Sequence, residues 1–248
     1  MTRAPAWLTA RPIAHRGLHD RAAGIVENMP GAMRAAIAGS YAIETDVQLT
    51  ADGEAMVHHD DALGRLNEGD SALITLTSAA LKQVAFRDTA ERMMTLGELC
   101  DLVDGRVPLV VELKSGFGGN RAIVDRVATV LTAYRGPVAV MSFDPDKVLA
   151  AREIMPAMVR GIIAESRYDE SEWPMLTPAQ RHEMIALRHL PTTQPHFVSY
   201  NVNDLPSDDA LAAKRAGCAL ITWTIRTATQ RALSERYADQ MTFEGFRP

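Results

Sequence analysis

"HFVSYNVNDLPSDDALAAKRAGCALITWTIRTATQRALSERYADQMTFEGF", residues 196–246, holds three short apolar runs separated by two helical patterns. The runs at 196–202, 219–225 and 240–246 read as strands, and 207–217 and 228–237 read as helices. Strands that alternate with helices point to a parallel sheet, because a parallel neighbour is reached only through a crossover connection.

Toward the N-terminus the same alternation continues. Strands are expected at 11–17, 41–49, 106–115, 137–143 and 158–164, with helices at 29–40, 95–104, 120–135, 144–155 and near 178–189. The 29–40 helix carries Pro30 near its start and Gly39 near its end, where each residue suits a helix boundary. Eight strands in 248 residues favour a closed barrel over a doubly wound sheet. No G-x-G-x-x-G follows the first strand, which lowers a dinucleotide-binding reading. The expected fold is therefore α/β, a TIM (β/α)8 barrel forming a single domain over residues 1–248. Only 165–195 departs from the rhythm, and it reads as an elaborated loop.

Composition narrows the partners. A net charge of −5 and the lack of a long basic run argue against nucleic acid. The opening "MTRAPAWLTARPIAHRG" lacks the apolar core of a signal peptide, and no window approaches a membrane span. A soluble, cytoplasmic protein is expected. Cys100 and Cys218 fit no metal or redox spacing and read as packing residues. Nothing in the chain indicates an oligomeric state.

The chemistry collects where polar residues interrupt apolar strands. His15 and Arg16 end the first strand, and Glu44 and Asp46 share one face of the second, since residues i and i+2 of a strand point the same way. Glu112 and Lys114 repeat that spacing in the third. Alone, Glu112–Lys114 could be a solvated pair and His15 a structural histidine. Together they resist such readings, because burying several charges without compensation is costly. In a barrel these groups converge at the C-terminal mouth. Three carboxylates there suit one hard divalent cation, Mg2+ or Ca2+, with Mn2+ also acceptable. Zinc fits less well, as no close Cys/His set is present. Arg16 and Lys114 beside such an ion suggest an anionic substrate, most naturally a phosphate.

These residues resemble the glycerophosphodiester phosphodiesterase family, in order along nearly the whole chain. "AHRG" (14–17) is similar to its His-Arg-Gly motif, and "ENMPGAM" (27–33) to its Glu-Asn segment, with Met29 where Thr is more usual. "IETDVQLTADG" (43–53) resembles its Glu-x-Asp strand and turn, "VHHDDALGRL" (57–66) its His-Asp segment, and "VVELK" (110–114) its Glu-x-Lys strand. "MSF" (141–143) and "TWTI" (222–225) resemble two later strands. Arg226 stands where Asn is common, and Glu244 lies near the usual Thr-Asp segment.

The resemblance implies a TIM barrel that hydrolyses a small-molecule phosphodiester to glycerol phosphate and an alcohol. It implies Glu44, Asp46 and Glu112 as metal ligands, and Arg16 and Lys114 as phosphate contacts. Trp223 joins them as a substrate-binding wall, with Phe143 either beside it or in the core. Two histidines are implied as the general acid/base pair. His15 is one. For the other, strand parity does not choose between His58 and His59. The family pattern, a histidine just before Asp and two residues after a β-branched position, selects His59, with Asp60 able to orient it. Direct attack by water and attack by a neighbouring substrate hydroxyl are both compatible with these residues. Rival readings are a glycosidase, a barrel that binds phosphorylated ligands without turnover, and a phospholipase D-type hydrolase. The glycosidase suffers because Glu44 and Asp46 share one strand face, whereas its carboxylates normally come from different strands.

Overall fold

Short β-branched runs that end in polar residues set the architecture. The structure is a computed structural model that describes residues 3–248; the first two residues of the expected 1–248 domain lie outside the described residues. It divides into two compact units, one of Ala14–Lys114 with Arg121–Val138, the other of residues 3–13, Ser115–Asn120 and Ala139–Pro248.

The first unit begins at the end of β1 (Ile13–Ala14) and contains α1 (Pro30–Ala38), β2 (Ala42–Leu49), β3 (Ala55–Val57), α2 (Ser78–Leu81), α3 (Leu96–Val103), β4 (Leu109–Leu113) and α4 (Ala122–Ala133). The second runs through β5 (Val138–Ser142), α5 (Pro145–Ile154), β6 (Val159–Ala164), α6 (Pro178–Ile185), α7 (Leu190–Thr193), β7 (Phe197–Asn201), α8 (Asp208–Arg215), β8 (Ala219–Ile225), α9 (Ala228–Tyr237) and β9 (Gln240–Phe243). Each expected strand contains an observed one. The fold class is α/β, a (β/α)8 barrel, to which β3 adds an antiparallel strand paired with β2.

Within the first unit β4 pairs parallel to β2, and Asp46 lies directly opposite Glu112. Within the second, β6, β7 and β8 pair in parallel with their successors in chain order. β4 is buried at every position and β2 at all but its last, as expected of strands covered on both faces. In such strands a carboxylate is the exception that needs a reason.

Helix starts follow local chemistry. Thr95 and Glu98 form a reciprocal capping box at α3, and Thr227 with Gln230 repeats it at α9. Pro145 opens α5 behind the cap Asp144. The 165–195 segment is more ordered than expected of a loop. Its Tyr168, Leu176 and Met184 are buried, with the partly buried Trp173, Phe117 and Phe143 packed against them. The helix expected near 178–189 stops at Ile185, and a separate short helix starts at Leu190, with Pro191 in its first turn. Cys100 and Cys218 are both buried, and burial pushes their thiols up to about 12 and about 11.

Candidate active site

The sequence "AHRGL" turns sharply after β1. Arg16 and Gly17 both have positive φ, 55° and 79°. A side chain at Gly17 would also meet the backbone and Cβ of Ala32 on α1 at 2.9 Å. Only glycine fits there, and the turn brings the Arg16 N–H to Glu44 Oε2 at 3.0 Å. His15 Nε2 lies 3.9 Å from the same oxygen.

Glu44, Asp46 and Glu112 are buried, and each offers a carboxylate oxygen within 4.8 Å of the others. Strand parity puts the first two on one face of β2, and parallel register sets Glu112 beside Asp46. Lys114, one residue beyond β4, places its ammonium 2.9 Å from Asp46 Oδ1 and 2.8 Å from Glu112 Oε1. Arg16 reaches the other oxygen of Asp46, with Nε 3.5 Å from Oδ2, and its Nη1 lies 2.6 Å from Glu27 Oε1. The two expected phosphate contacts are thus both engaged with carboxylates.

Electrostatics within the cluster is uneven. Burial raises the Glu44 carboxyl well above its ordinary range, Asp46 and Glu112 add repulsion, and Arg16 offsets only part. Burial also raises Glu112, where attraction to Lys114 competes with repulsion from Asp46. Asp46 goes the other way. Burial acts against its charge, but Lys114, His59 and Arg16 hold its carboxyl far below the usual value. Burial disfavours the Lys114 ammonium too, yet Asp46 and Glu112 raise its pKa. Two protein cations therefore leave Glu44 incompletely compensated. A divalent cation would complete the balance, and an all-oxygen donor set of this charge fits Mg2+, Ca2+ or Mn2+.

β3 carries the next group. The turn at Thr50–Glu54 folds the chain back so that Val57 pairs with Val47, and the His58 N–H donates to Asp46 O at 3.1 Å. The adjacent histidines then diverge. His58 is buried, meets Phe86 edge-on with centroids 6.4 Å apart, and has its pKa lowered by that burial. His59 remains partly exposed, and its Nδ1 lies 2.9 Å from Asp60 Oδ1.

Several residues that hold the site were given no role from the sequence, although Glu27 and Asn28 form its Glu-Asn segment. Asn28, at φ 58°, donates from Nδ2 to Asp46 Oδ2 at 2.8 Å while Thr45 Oγ1 donates to its Oδ1 at 2.8 Å. Gln48 donates from Nε2 to the carbonyls of His59 at 2.9 Å and Asp60 at 2.6 Å. Its signal was available, because it continues the Glu44–Asp46 face at i+4. Burial disfavours charge on Glu27, but Arg65 and Arg16 hold its carboxyl down at about 2.

Trp223 belongs to the second unit. Its Nε1 donates to Ser199 O at 2.9 Å, and its ring meets Phe143 edge-on at 5.6 Å. Phe143 in turn packs on Trp173 at 4.9 Å, so both residues are part of an aromatic group. Arg226 and Glu244, the two departures from the family pattern, form one feature: a 2.8 Å ion pair.

Comparison with known proteins places this geometry in context. The model of the glycerophosphoryl diester phosphodiesterase family matches residues 15–245. A glycerophosphodiester phosphodiesterase of Caldanaerobacter subterraneus subsp. tengcongensis is 27% identical over 223 residues, covering 86% of this chain and 84% of the relative. Among solved structures, an Oleispira antarctica phosphodiesterase in complex with the product sn-glycerol-3-phosphate superposes with a TM-score of 0.79 at 21% identity, covering 96% of this chain and 94% of that one. A glycerophosphodiester phosphodiesterase of Thermotoga maritima superposes with a TM-score of 0.70 at 22% identity, over 93% and 92% of the two chains.

Proposed function

The chain belongs to the glycerophosphoryl diester phosphodiesterase family and is a phosphoric diester hydrolase, and from that premise we propose a metal-dependent reaction driven by a histidine pair. The substrate is a water-soluble glycerophosphodiester, and the products are glycerol phosphate and an alcohol. The observation that carries this reading is the buried set of Glu44, Asp46 and Glu112, with oxygens within 4.8 Å of one another and too little protein charge to balance them.

Glu44, Asp46 and Glu112 would hold one divalent cation, Mg2+, Ca2+ or Mn2+, which supplies Lewis-acid stabilisation of charge on phosphate oxygens. Arg16 and Lys114 bind and orient the phosphate, turning from their carboxylate partners toward the added anion. His15 and His59 are the acid/base pair: one removes a proton from the attacking nucleophile and the other protonates the leaving alkoxide. Imidazole suits both tasks near neutral pH. With Nδ1 held by Asp60, the Nε2 of His59 is the nitrogen free to exchange a proton.

Residues 1–248 act as a single catalytic domain in this reading, in the cytoplasm and without a nucleic-acid partner. The net charge of −5 supports the last point. Among the described residues no helix is long and apolar enough to cross a membrane. Glycerol phosphate as the product is carried over from the Oleispira relative.

A turnover assay over glycerophosphocholine, glycerophosphoethanolamine and a long-chain lysophospholipid, with and without EDTA, tests the proposal. EDTA should abolish hydrolysis and added Mg2+, Mn2+ or Ca2+ restore it, with the soluble diesters turned over fastest. Full activity after exhaustive chelation refutes metal dependence, and preference for the lysophospholipid refutes the substrate class.

A further inference from the structure

Glu27, Asp60 and Arg65 form a polar chain beside the carboxylate cluster and His59. His59 Nδ1 lies 2.9 Å from Asp60 Oδ1, and Asp60 Oδ2 accepts from Arg65 Nε at 2.7 Å. The same guanidinium donates from Nη2 to Glu27 Oε1 at 2.6 Å and from Nη1 to Glu27 Oε2 at 3.1 Å. Glu27 Oε1 also accepts from Arg16 Nη1 at 2.6 Å. One guanidinium thus links the carboxylate behind His59 to the carboxylate behind Arg16.

The base of this link is anchored. Leu66, next to Arg65, is buried with Met56, Leu73, Leu81 and Phe86. Arg87 donates from Nη1 to the Arg65 carbonyl at 3.0 Å. The Arg65 side chain itself is 45% exposed, so its ion pairs contribute little to global stability. Their value must be geometric.

We propose that Arg65 is a positioning residue for the hydrolysis, acting on His59 through Asp60 and on Arg16 through Glu27. The proposal rests on the roles given above to His59 and Arg16. Asp60 paired with Arg65 is a carboxylate that only accepts hydrogen bonds, so Nδ1 of His59 carries the hydrogen and Nε2 keeps its lone pair for proton transfer. On the other arm, Glu27 divides its charge between two guanidiniums. The positive charge of Arg16 is then only partly cancelled and remains available to a phosphate. Glu27, Asp60, Arg16 and Arg65 sum to zero; without Arg65 the group carries −1 and repels an anionic substrate.

Two substitutions separate geometry from charge. Arg65→Lys keeps the charge but loses the planar fork that reaches both carboxylates, and Arg65→Gln loses both. At saturating metal, Arg65→Lys should lower kcat about 10–100-fold, the usual cost of disturbing an orienting partner, with KM nearly unchanged. Arg65→Gln should lower kcat similarly and also raise KM, and raised ionic strength should shrink the KM effect. In an Asp60→Asn background Arg65→Lys should cost almost nothing further in kcat, since both changes act through one contact. Long-range 15N–1H spectra of His59 should show the Nδ1–H tautomer in the wild type and a mixture in Arg65→Lys, with melting temperatures alike.

A wild-type kcat in folded Arg65→Lys, or a loss that persists in full in the Asp60→Asn background, overturns the proposal. If His59→Ala is impaired while Arg65→Lys is normal, only this inference fails. If His59→Ala hydrolyses at the wild-type rate, the functional reading fails and takes the inference with it.

Discussion

Replacing Lys114 by Met tests the electrostatic account of the site without relying on turnover. The ammonium sits 2.9 Å from Asp46 and 2.8 Å from Glu112, with only 17% of the side chain exposed. Met fills similar volume but leaves Glu44, Asp46 and Glu112 with Arg16 alone, and Arg16 is already shared with Glu27. Breaking a buried pair by removing one partner costs about 3–5 kcal/mol, because the remaining charge stays desolvated. For a chain of this size each kcal/mol shifts Tm by about 2–4 °C, so Lys114→Met should melt roughly 6–20 °C below the wild type in EDTA. A bound divalent cation stabilises by mass action, about 2.7 kcal/mol at a hundredfold excess over Kd. The variant should gain more from it than the wild type, since its carboxylates no longer share their charge with an ammonium. The assay is thermal unfolding followed by circular dichroism, with EDTA and then with a titration of Mg2+ or Ca2+. Equal melting temperatures in EDTA, or equal gains from the cation, would show that Lys114 does not balance a metal-binding carboxylate cluster.

The paired histidines should separate cleanly. His59→Ala should lose about 10²–10⁴-fold in kcat as an acid/base residue, whereas His58→Ala should lose stability through its packing on Phe86 and keep kcat within a few-fold; the opposite ranking, with both variants folded, would reverse the assignment. His189, in the second unit, gives a pH prediction. Burial pushes its pKa down to about 4 from 6.5, and neither ring nitrogen has a hydrogen-bond partner among the described residues. The unfolded chain therefore binds more protons between those values, so stability should fall by at most about 3 kcal/mol as pH drops through this window. His189→Leu should flatten that part of the stability–pH curve, and an unchanged slope in urea denaturation would refute the attribution.

The eight strands, their order and the carboxylate face of β2 were legible in the chain, because strand and helix periodicities are local properties. Glu44 and Asp46 need only i, i+2 spacing to share a face. Glu112 could be assigned to the same mouth from the barrel topology, and the family resemblance supplied His59 where parity was silent. Tertiary structure decided what depends on register and on turns. The pairing of β2 with β4 set Asp46 opposite Glu112, and so made Lys114 a bridge between them. The turn before β3 sent His58 into packing with Phe86 and left His59 beside Asp60. Glu27, Asn28 and Arg65 drew no role from the sequence. Asn28 and Arg65 meet partners 18 and 38 residues away, and no local pattern marks a contact whose partner is set by how distant loops fold back. Composition and periodicity determine which elements form and which faces they bury. Which buried charge meets which is fixed only when strands pair and turns close, because electrostatic energy depends on distances of a few ångströms that spacing along a chain does not encode.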